Sequence, residues 1–415
     1  MESQTVTRAG FMRLTGAAGA GLFLAVAIPG CGPSARTGDK GFAPNVWVRI
    51  APDETTTVVL NKSEMGQGIA TGLATILADE LDAAPAHLRT EFAPAAPVYA
   101  DVQFHDMVTG GSTSIRNSWM PLRRAGAAAR AMLVAAAARR WGVDPASCTT
   151  REGVVYHQSS DRSASYGSLV GDASAVPVPA DVSLKSADQF TLIGKLSRRL
   201  DVASKVDGSV RYGIDVRIPG MVYGAIARSP VFGGRVKSFD ASDAKAIPGV
   251  TDVVQVSTGV AVAGKNTWAA FQGQKALRIV WDEGPNANVD TASLFAEAER
   301  LAKEHKGESV RISRGNPDTS AGTVLEAIYR GPFLAHATLE PMNTTADVRD
   351  GSCEIWSPNQ VPLRALAAAA KGAGWVPSAA RFTPPISVAA SAAGSKPTTS
   401  RRPRSYPKRS TNRSS

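Results

Sequence analysis

The spacing of apolar residues divides this chain into strand-like and helix-like stretches. From Asn45, "NVWVRIAPDETTTVVLN" carries β-branched and aromatic residues in two runs around Pro52-Asp53-Glu54, which predicts two strands and a turn. Ile69, Leu73, Ile76, Leu77 and Leu81 then recur at helical spacing, with Pro85 following the end. An Ala-rich helix is predicted from about Met120 to Trp141, closed by Gly142 and Pro145. Residues 171–190, rich in Ala, Val and Pro, read as a linker. Beyond them "SVRYGIDVRIPGMVYGAIARSP" predicts a strand pair, and "GVTDVVQVSTGVAVAGKNTWAAFQGQKALRIVWDEG" reads strand, strand, short helix, strand. This alternation argues for a compact α+β module at about 194–285. Residues 286–310 predict a charged helix, the β-pattern returns from Ala327, and an Ala-rich helix covers 363–373. No internal repeat is visible, and past about Val376 the periodicity stops.

At 415 residues the chain has room for two or three domains, and 43% hydrophobic with 20% charged residues reads as globular. The net charge of +10 is unevenly placed: residues 376–415 hold eight bases and no acid, leaving +2 for residues 1–375. The body is therefore near neutral, and the basic signal belongs to the tail. Cys31, Cys148 and Cys353 are widely spaced with no CxxC, and five scattered histidines show no ligand spacing, so no iron–sulfur or structural zinc site is encoded. Near the start, Arg8 and Arg13 precede an apolar run from Ala17 to Ile28, too short for a comfortable membrane span and laid out like an export signal. It is similar to a twin-arginine signal with Ala9 in place of the second arginine; a lipidated Cys31 and a buried N-terminal helix are the alternatives. The expected location is periplasmic or envelope-associated if this signal works and cytoplasmic otherwise.

Two turns offer chemistry. Gly66-Gln67-Gly68 lies between a strand and a helix, where glycine lets backbone approach a ligand and a helix start presents free N–H groups to an anion or polar heterocycle. The Gln67 amide adds one donor and one acceptor. Gly110-Gly111-Ser112-Thr113-Ser114 makes the same offer with three hydroxyls. Taken singly, each is equally an ordinary tight turn or loop. Glu64, Asp79, Glu80 and Asp82 read as a solvated helix face, and His336, four residues before Glu340, as a structural histidine. No G-x-S-x-G elbow, Walker motif or G-x-G-x-x-G occurs, so nucleophilic hydrolysis and nucleotide-cofactor chemistry lack support.

The order of the pieces is more specific than any one of them. "MGQG" with "TGLATILADEL", "GGSTSIRNSWMPLRRAGAAAR", "RLDVASKVDGSVRYGIDVRIPGMVYGAIARSP", "PGVTDVVQV", "AHATLEPMNTTA" and "IWSPNQVP" together resemble the molybdenum-cofactor-binding large subunit of the xanthine dehydrogenase and aldehyde oxidase family, isoquinoline 1-oxidoreductase beta-subunit type, over roughly 42–375. The resemblance implies an α+β molybdenum-binding fold, present in part, with residues 42–170 and 286–375 belonging to it. It also implies a linker at 171–193 and an α/β hammerhead domain at 194–285, after an export signal at 1–32. Gly66, Gln67, Gly68, Gly111, Ser112, Thr113 and Ser114 would contact a molybdopterin cytosine dinucleotide, and Gln360 matches a glutamine that hydrogen-bonds an oxygen ligand of the molybdenum. The implied reaction hydroxylates an aldehyde or N-heterocycle with oxygen from water, passing electrons to a separate small 2Fe–2S alpha subunit. No side chain of this chain is assigned as a metal ligand, and the family's catalytic glutamate falls downstream of residue 415. Neither nucleic acid nor a membrane span beyond the signal is expected.

In the family a strand and a G-G-G-F-G-R loop follow the helix corresponding to 363–373. Here Ser387–Gly394, shifted back by one base, can encode Leu-Gly-Gly-Gly-Phe-Gly-Arg-Arg, and Ser395–Ser415 then give an amphipathic helix. The tail 376–415 is therefore expected to be a frameshift arising near 374–382, and the chain a truncated, non-catalytic remnant. The alternative is an exported basic binding protein with a genuine tail, in which only Tyr406 interleaves the bases.

Overall fold

The computed structural model describes residues 22–26, 45–195, 198–304, 322–323, 325–374 and 380–383. Most of the expected export signal and of the basic tail lies outside them. The described residues divide into two compact units, one formed by those up to Val216 with those from Thr338 onward, the other by those between Arg217 and Ala337.

In the first unit, β1 (Leu22–Val26), β2 (Asn45–Ile50), β3 (Thr56–Leu60) and β4 (Leu88–Phe92) form a sheet in that order. The first two pairings are antiparallel and β3–β4 is parallel. Pro52-Asp53-Glu54 makes the predicted turn, with Glu54 left-handed at φ 70°. All five residues of β3 are buried, as a strand covered on both faces requires. The covering helices are α1 (Ile69–Leu81) and α2 (Ser114–Trp141). The apolar stripe Ile69, Leu73, Ile76, Leu77 and Leu81 is buried as its spacing predicts, against Leu122, Ala125, Ala129, Leu133 and Ala136 of α2. Small residues let these helices approach closely: a Cβ on Gly126 would stand 2.4 Å from the Leu77 carbonyl oxygen. Left-handed Asp82 and Gly142 terminate the two helices.

A meander of β5 (Thr149–Arg151), β6 (Val154–His157) and β7 (Arg162–Ser165) leads to α3 (Tyr166–Ser174), whose N-cap is Ser165. Residues 209–216, half of the predicted strand pair, form no strand; they follow the short helix α4 (Val202–Val206) and hold a single helical turn at Gly213–Asp215. Residues 194–216, expected in the second module, instead belong to the first unit: Leu200 N–H donates to Thr71 Oγ1 (3.0 Å) and Ile214 N–H to buried Glu340 (3.0 Å).

The second unit contains β8 (Tyr223–Ala227), β9 (Arg235–Asp240), α5 (Ser242–Ala246), β10 (Val250–Val256), β11 (Gly259–Gly264), α6 (Thr267–Ala276), β12 (Arg278–Asp282) and α7 (Thr291–Glu304). Its sheets run β10-β11-β8 and β12-β9, all antiparallel, which matches the strand, strand, helix, strand reading. Asn266 caps α6 by accepting from Ala269 N–H. The β-pattern from Ala327 forms no strand before β13 (Thr345–Arg349); Ile328, Tyr329, Leu334 and Leu339 are all exposed. Back in the first unit, β14 (Ser352–Trp356) pairs with β13, α8 (Pro362–Ala373) follows, and β15 (Ala380–Thr383) runs parallel to β14. The architecture is α+β throughout.

Candidate functional site

Beyond β3 the chain enters Asn61-Lys62-Ser63-Glu64, four residues that bind three separate loops. The Asn61 amide donates to the Tyr99 carbonyl (2.9 Å). Lys62 Nζ, fully buried, donates to Asp101 Oδ2 and the Val108 carbonyl, both at 2.8 Å. Ser63 donates its N–H to Thr109 Oγ1 and its hydroxyl to the Asn359 carbonyl, again at 2.8 Å. Thr109 N–H donates to the Gln360 carbonyl (2.9 Å), and Gln360 Nε2 to the Thr109 carbonyl (2.5 Å). The stretches singled out in the sequence, 66–68, 111–114 and Gln360, are thereby drawn to one edge of the first unit.

A buried ammonium needs full hydrogen bonding and a counter-charge. Asp101 supplies the charge and also accepts from Asn117 Nδ2 (3.0 Å to each oxygen) and Gln103 N–H (2.8 Å). Burial alone would raise the Asp101 pKa, but the bonds from Lys62, Asn117 and Gln103 outweigh it and hold the carboxyl below its ordinary value. This network fixes the 101–109 loop that carries the second glycine turn. Sequence reasoning missed Lys62, Asp101 and Asn117; a lysine two residues after the Val-Val-Leu end of β3 was the available signal.

The first turn differs from expectation. Gly66 (φ 98°) and Gly68 (φ 85°) are left-handed, so glycine is required there. Their N–H groups are not free: Glu64 Oε1 accepts from Gly66 (2.7 Å) and Gly68 (3.0 Å), and Oε2 accepts from Ala70 (2.9 Å). Glu64, expected on a solvated face, has a side chain only 2% exposed and caps α1 internally. Gln67 folds back, its Oε1 accepting from Met65 N–H (2.6 Å) and its Nε2 donating to the Ser63 carbonyl (3.0 Å). What the turn offers outward is backbone surface: Gly66 and Gln67 are exposed, and a Cβ on Gly66 would meet nothing within 4 Å.

The second turn keeps its donors. Helix α2 starts at Ser114, earlier than the predicted Met120, so the Gly/Ser turn is itself the helix start. Gly111 (φ 60°) and Ser112 (φ 55°) are left-handed and exposed. Buried Thr113 turns its hydroxyl to the Gly110 carbonyl (2.7 Å), and among the described residues no side chain caps the first N–H groups of α2. The hydroxyls of Ser112 and Ser114 make no hydrogen bond among the described residues.

The remaining acids also correct the sequence reading. Asp79 and Glu80 are fully buried. Asp79 accepts from the N–H groups of Thr191, Leu192 and Ile193 (3.2, 2.9 and 2.7 Å) and from Lys185 Nζ (3.2 Å). Burial raises the Asp79 pKa, but the Ile193, Leu192 and Thr191 bonds and then Lys185 outweigh it, and the net shift is downward. Glu80 binds Arg123 Nε (2.7 Å) and Lys185 N–H (3.2 Å). These bonds latch the expected linker onto α1, and Arg123 lies over the Trp119 and Phe190 rings. His336 is exposed rather than structural, and Glu340 binds Ile214 and Asn343. Among the described residues no group of three or more His, Cys, Asp or Glu is arranged to hold a metal, and no helix is long and apolar enough to cross a membrane.

Comparison with known proteins identifies the family of the chain. The molybdopterin cofactor-binding domain family matches residues 6–214, ending two residues before the first unit's N-terminal part does. The chain is 33% identical over 382 residues to the membrane-bound aldehyde dehydrogenase (pyrroloquinoline-quinone) of Gluconacetobacter polyoxogenes, covering 86% of this chain and 48% of that one. It is 29% identical over 369 residues to the beta chain of the isoquinoline 1-oxidoreductase of Brevundimonas diminuta, covering 77% and 47%. It is 26% identical over 355 residues to a nicotinate dehydrogenase chain of Pseudomonas putida, covering 80% and 29%. The chain thus spans about half, or less, of the length of these relatives. It belongs to the molybdopterin cofactor-binding family, as a molybdenum-binding subunit of the xanthine dehydrogenase type.

Proposed function

We propose that the edge formed by Gly66-Gln67-Gly68, Gly111-Ser112-Thr113-Ser114 and Gln360 holds the molybdopterin dinucleotide of an aldehyde or N-heterocycle hydroxylase. The carrying observation is the hydrogen-bond chain from Ser63 through Thr109 to Asn359 and Gln360, which joins three stretches far apart in sequence. The donor set suits a polar, anionic ligand. The uncapped start of α2 and the Ser112 and Ser114 hydroxyls offer hydrogen bonds, and Gln360 keeps one Nε2 hydrogen and its Oε1 available. Gly66 leaves room for a flat group to lie against the backbone.

When bound, the cofactor supplies a two-electron redox centre for oxygen transfer from water. The chain's own contribution is to bind and orient it: the α2 start faces negative charge, Gln360 directs an amide, and the glycine turn excludes side chains. An aldehyde or N-heterocycle substrate and a partner subunit belong to the same reading, supported by the relatives' names; the cytosine dinucleotide form and a small 2Fe–2S partner rest on the sequence resemblance, and a periplasmic location on the N-terminal layout. On the same reading, carried by the sequence resemblance, the module of β8 to β12 corresponds to the hammerhead domain.

Cofactor retention is the test suited to this chain. Purified from a molybdenum-replete host, it should carry molybdenum and release a fluorescent oxidised pterin. Gly111→Val and Gln360→Ala should lower both without unfolding the first unit. Wild-type protein devoid of both, with the first unit folded, would refute the proposal.

A further inference from the structure

We propose that Glu64 and Arg199 are positioning residues that preset the Gly66-Gln67-Gly68 turn in its cofactor-receiving shape. This rests on the reading of that turn given above. Neither residue is catalytic: Glu64 is buried beneath the turn, and its carboxylate is committed to groups of the chain itself.

The turn's backbone is held on both of its polar sides. Glu64 takes the N–H groups of Gly66, Gly68 and Ala70. Arg199, 133 residues further along, donates Nη1 to the Gly66 carbonyl (2.8 Å) and Nη2 to Glu64 Oε1 (3.3 Å). Gly66 therefore has both its N–H and its C=O fixed, in a left-handed conformation with open space where a Cβ would stand. Asp201 holds the guanidinium in turn, accepting from Nε (2.9 Å) and Nη2 (2.7 Å).

The clamp also explains why the turn faces outward as backbone. Three donors that would otherwise take water or an anion are consumed from below. The ligand-facing side is then two glycines and a glutamine folded back on itself, a surface for shape contact rather than for charge. Negative charge on the ligand is directed to the α2 start, where the donors are free. With the N–H groups of Gly66, Gly68 and Ala70 taken by Glu64, the first turn has none of these three to offer a phosphate, and the two turns divide the work.

The test is residue-resolved amide hydrogen exchange on the full chain, with molybdenum and pterin content measured on the same preparations. In Glu64→Gln an amide replaces the carboxylate, and exchange at Gly66, Gly68 and Ala70 should quicken about tenfold or more. Leu73 and Leu77 in α1 should keep their wild-type rates, which shows the fold intact. Arg199→Met should quicken the same amides by a smaller factor, and Arg199→Lys should restore part of the loss by keeping one donor to Gly66. Should Glu64→Gln fail to fold, the Arg199 pair carries the comparison alone. Unchanged exchange at the turn in the folded variants overturns the clamp. Faster exchange with undiminished molybdenum and pterin overturns its service to the cofactor. A wild-type chain without pterin refutes the function reading itself, while the exchange rates still decide the clamp.

Discussion

Replacing Lys62 with methionine removes the ammonium while keeping most of the side-chain volume. In the native chain Lys62 and Asp101 have side chains 0% and 2% exposed and stand 2.8 Å apart. Deleting one partner of such a pair leaves the other charge buried, which costs ~3–5 kcal/mol, and the Val108 carbonyl loses its donor as well. Asn117 and Gln103 still serve Asp101, so a loss of ~3–4 kcal/mol is expected. With a urea slope of about 2 kcal/mol/M, the midpoint of the first unit should fall by about 1.5–2 M. Urea titration followed by amide exchange in α1 and α2 measures it. The pH dependence supplies a second sign. In wild type the native pKa of Asp101 is lowered, so its contribution is present above the unfolded value near 4 and lost as pH falls through the native one. In Lys62→Met, burial meets less opposition, and protonation relieves the orphaned charge; the deficit should narrow as pH falls from about 7 to 4. A variant within ~1 kcal/mol of wild type at neutral pH would refute the claim that this pair holds the second turn's loop.

Three further outcomes follow from packing and burial. Gly126→Ala drives a Cβ to within 2.4 Å of the Leu77 carbonyl oxygen and should cost ~1–3 kcal/mol in urea unfolding. Leu73→Ala opens a cavity between α1 and the sheet and should cost ~2–5 kcal/mol in the same assay. Burial, and then Glu91, push the Tyr99 hydroxyl up to about 12. Its stabilising contribution is thus present below the unfolded value near 10 and is lost as pH rises toward 12; Tyr99→Phe should flatten that alkaline decline in melting experiments.

Local chemistry made much of this molecule legible from sequence. The apolar stripe of α1, the Pro52-Asp53-Glu54 turn and the strand, strand, helix, strand run of 250–282 all depend on nearest neighbours, and all appear where spacing put them. The partners of buried charges were not legible. Glu64, Asp79 and Glu80 look like an ordinary solvated face: Asp79 is satisfied by Lys185 and residues 191–193, over 100 residues away, Glu80 by Arg123 and Lys185, and Glu64 by Arg199 together with N–H groups of the turn that follows it. The glycine turns were found from composition, yet their division of labour was not. Only the folded chain shows that Glu64 consumes the donors of the first while the second keeps its own. The alternation after Ala327 gave a strand pattern without a strand, since pairing requires a neighbouring edge that the pattern cannot report.

The central claim is that three distant stretches form one cofactor-facing edge. Peptide-resolved hydrogen exchange of the purified chain, with and without added molybdopterin cytosine dinucleotide, tests it most directly. Protection confined to residues around 63–68, 109–116 and 359–361 is the predicted result. Protection elsewhere, or none at saturating ligand, would contradict it.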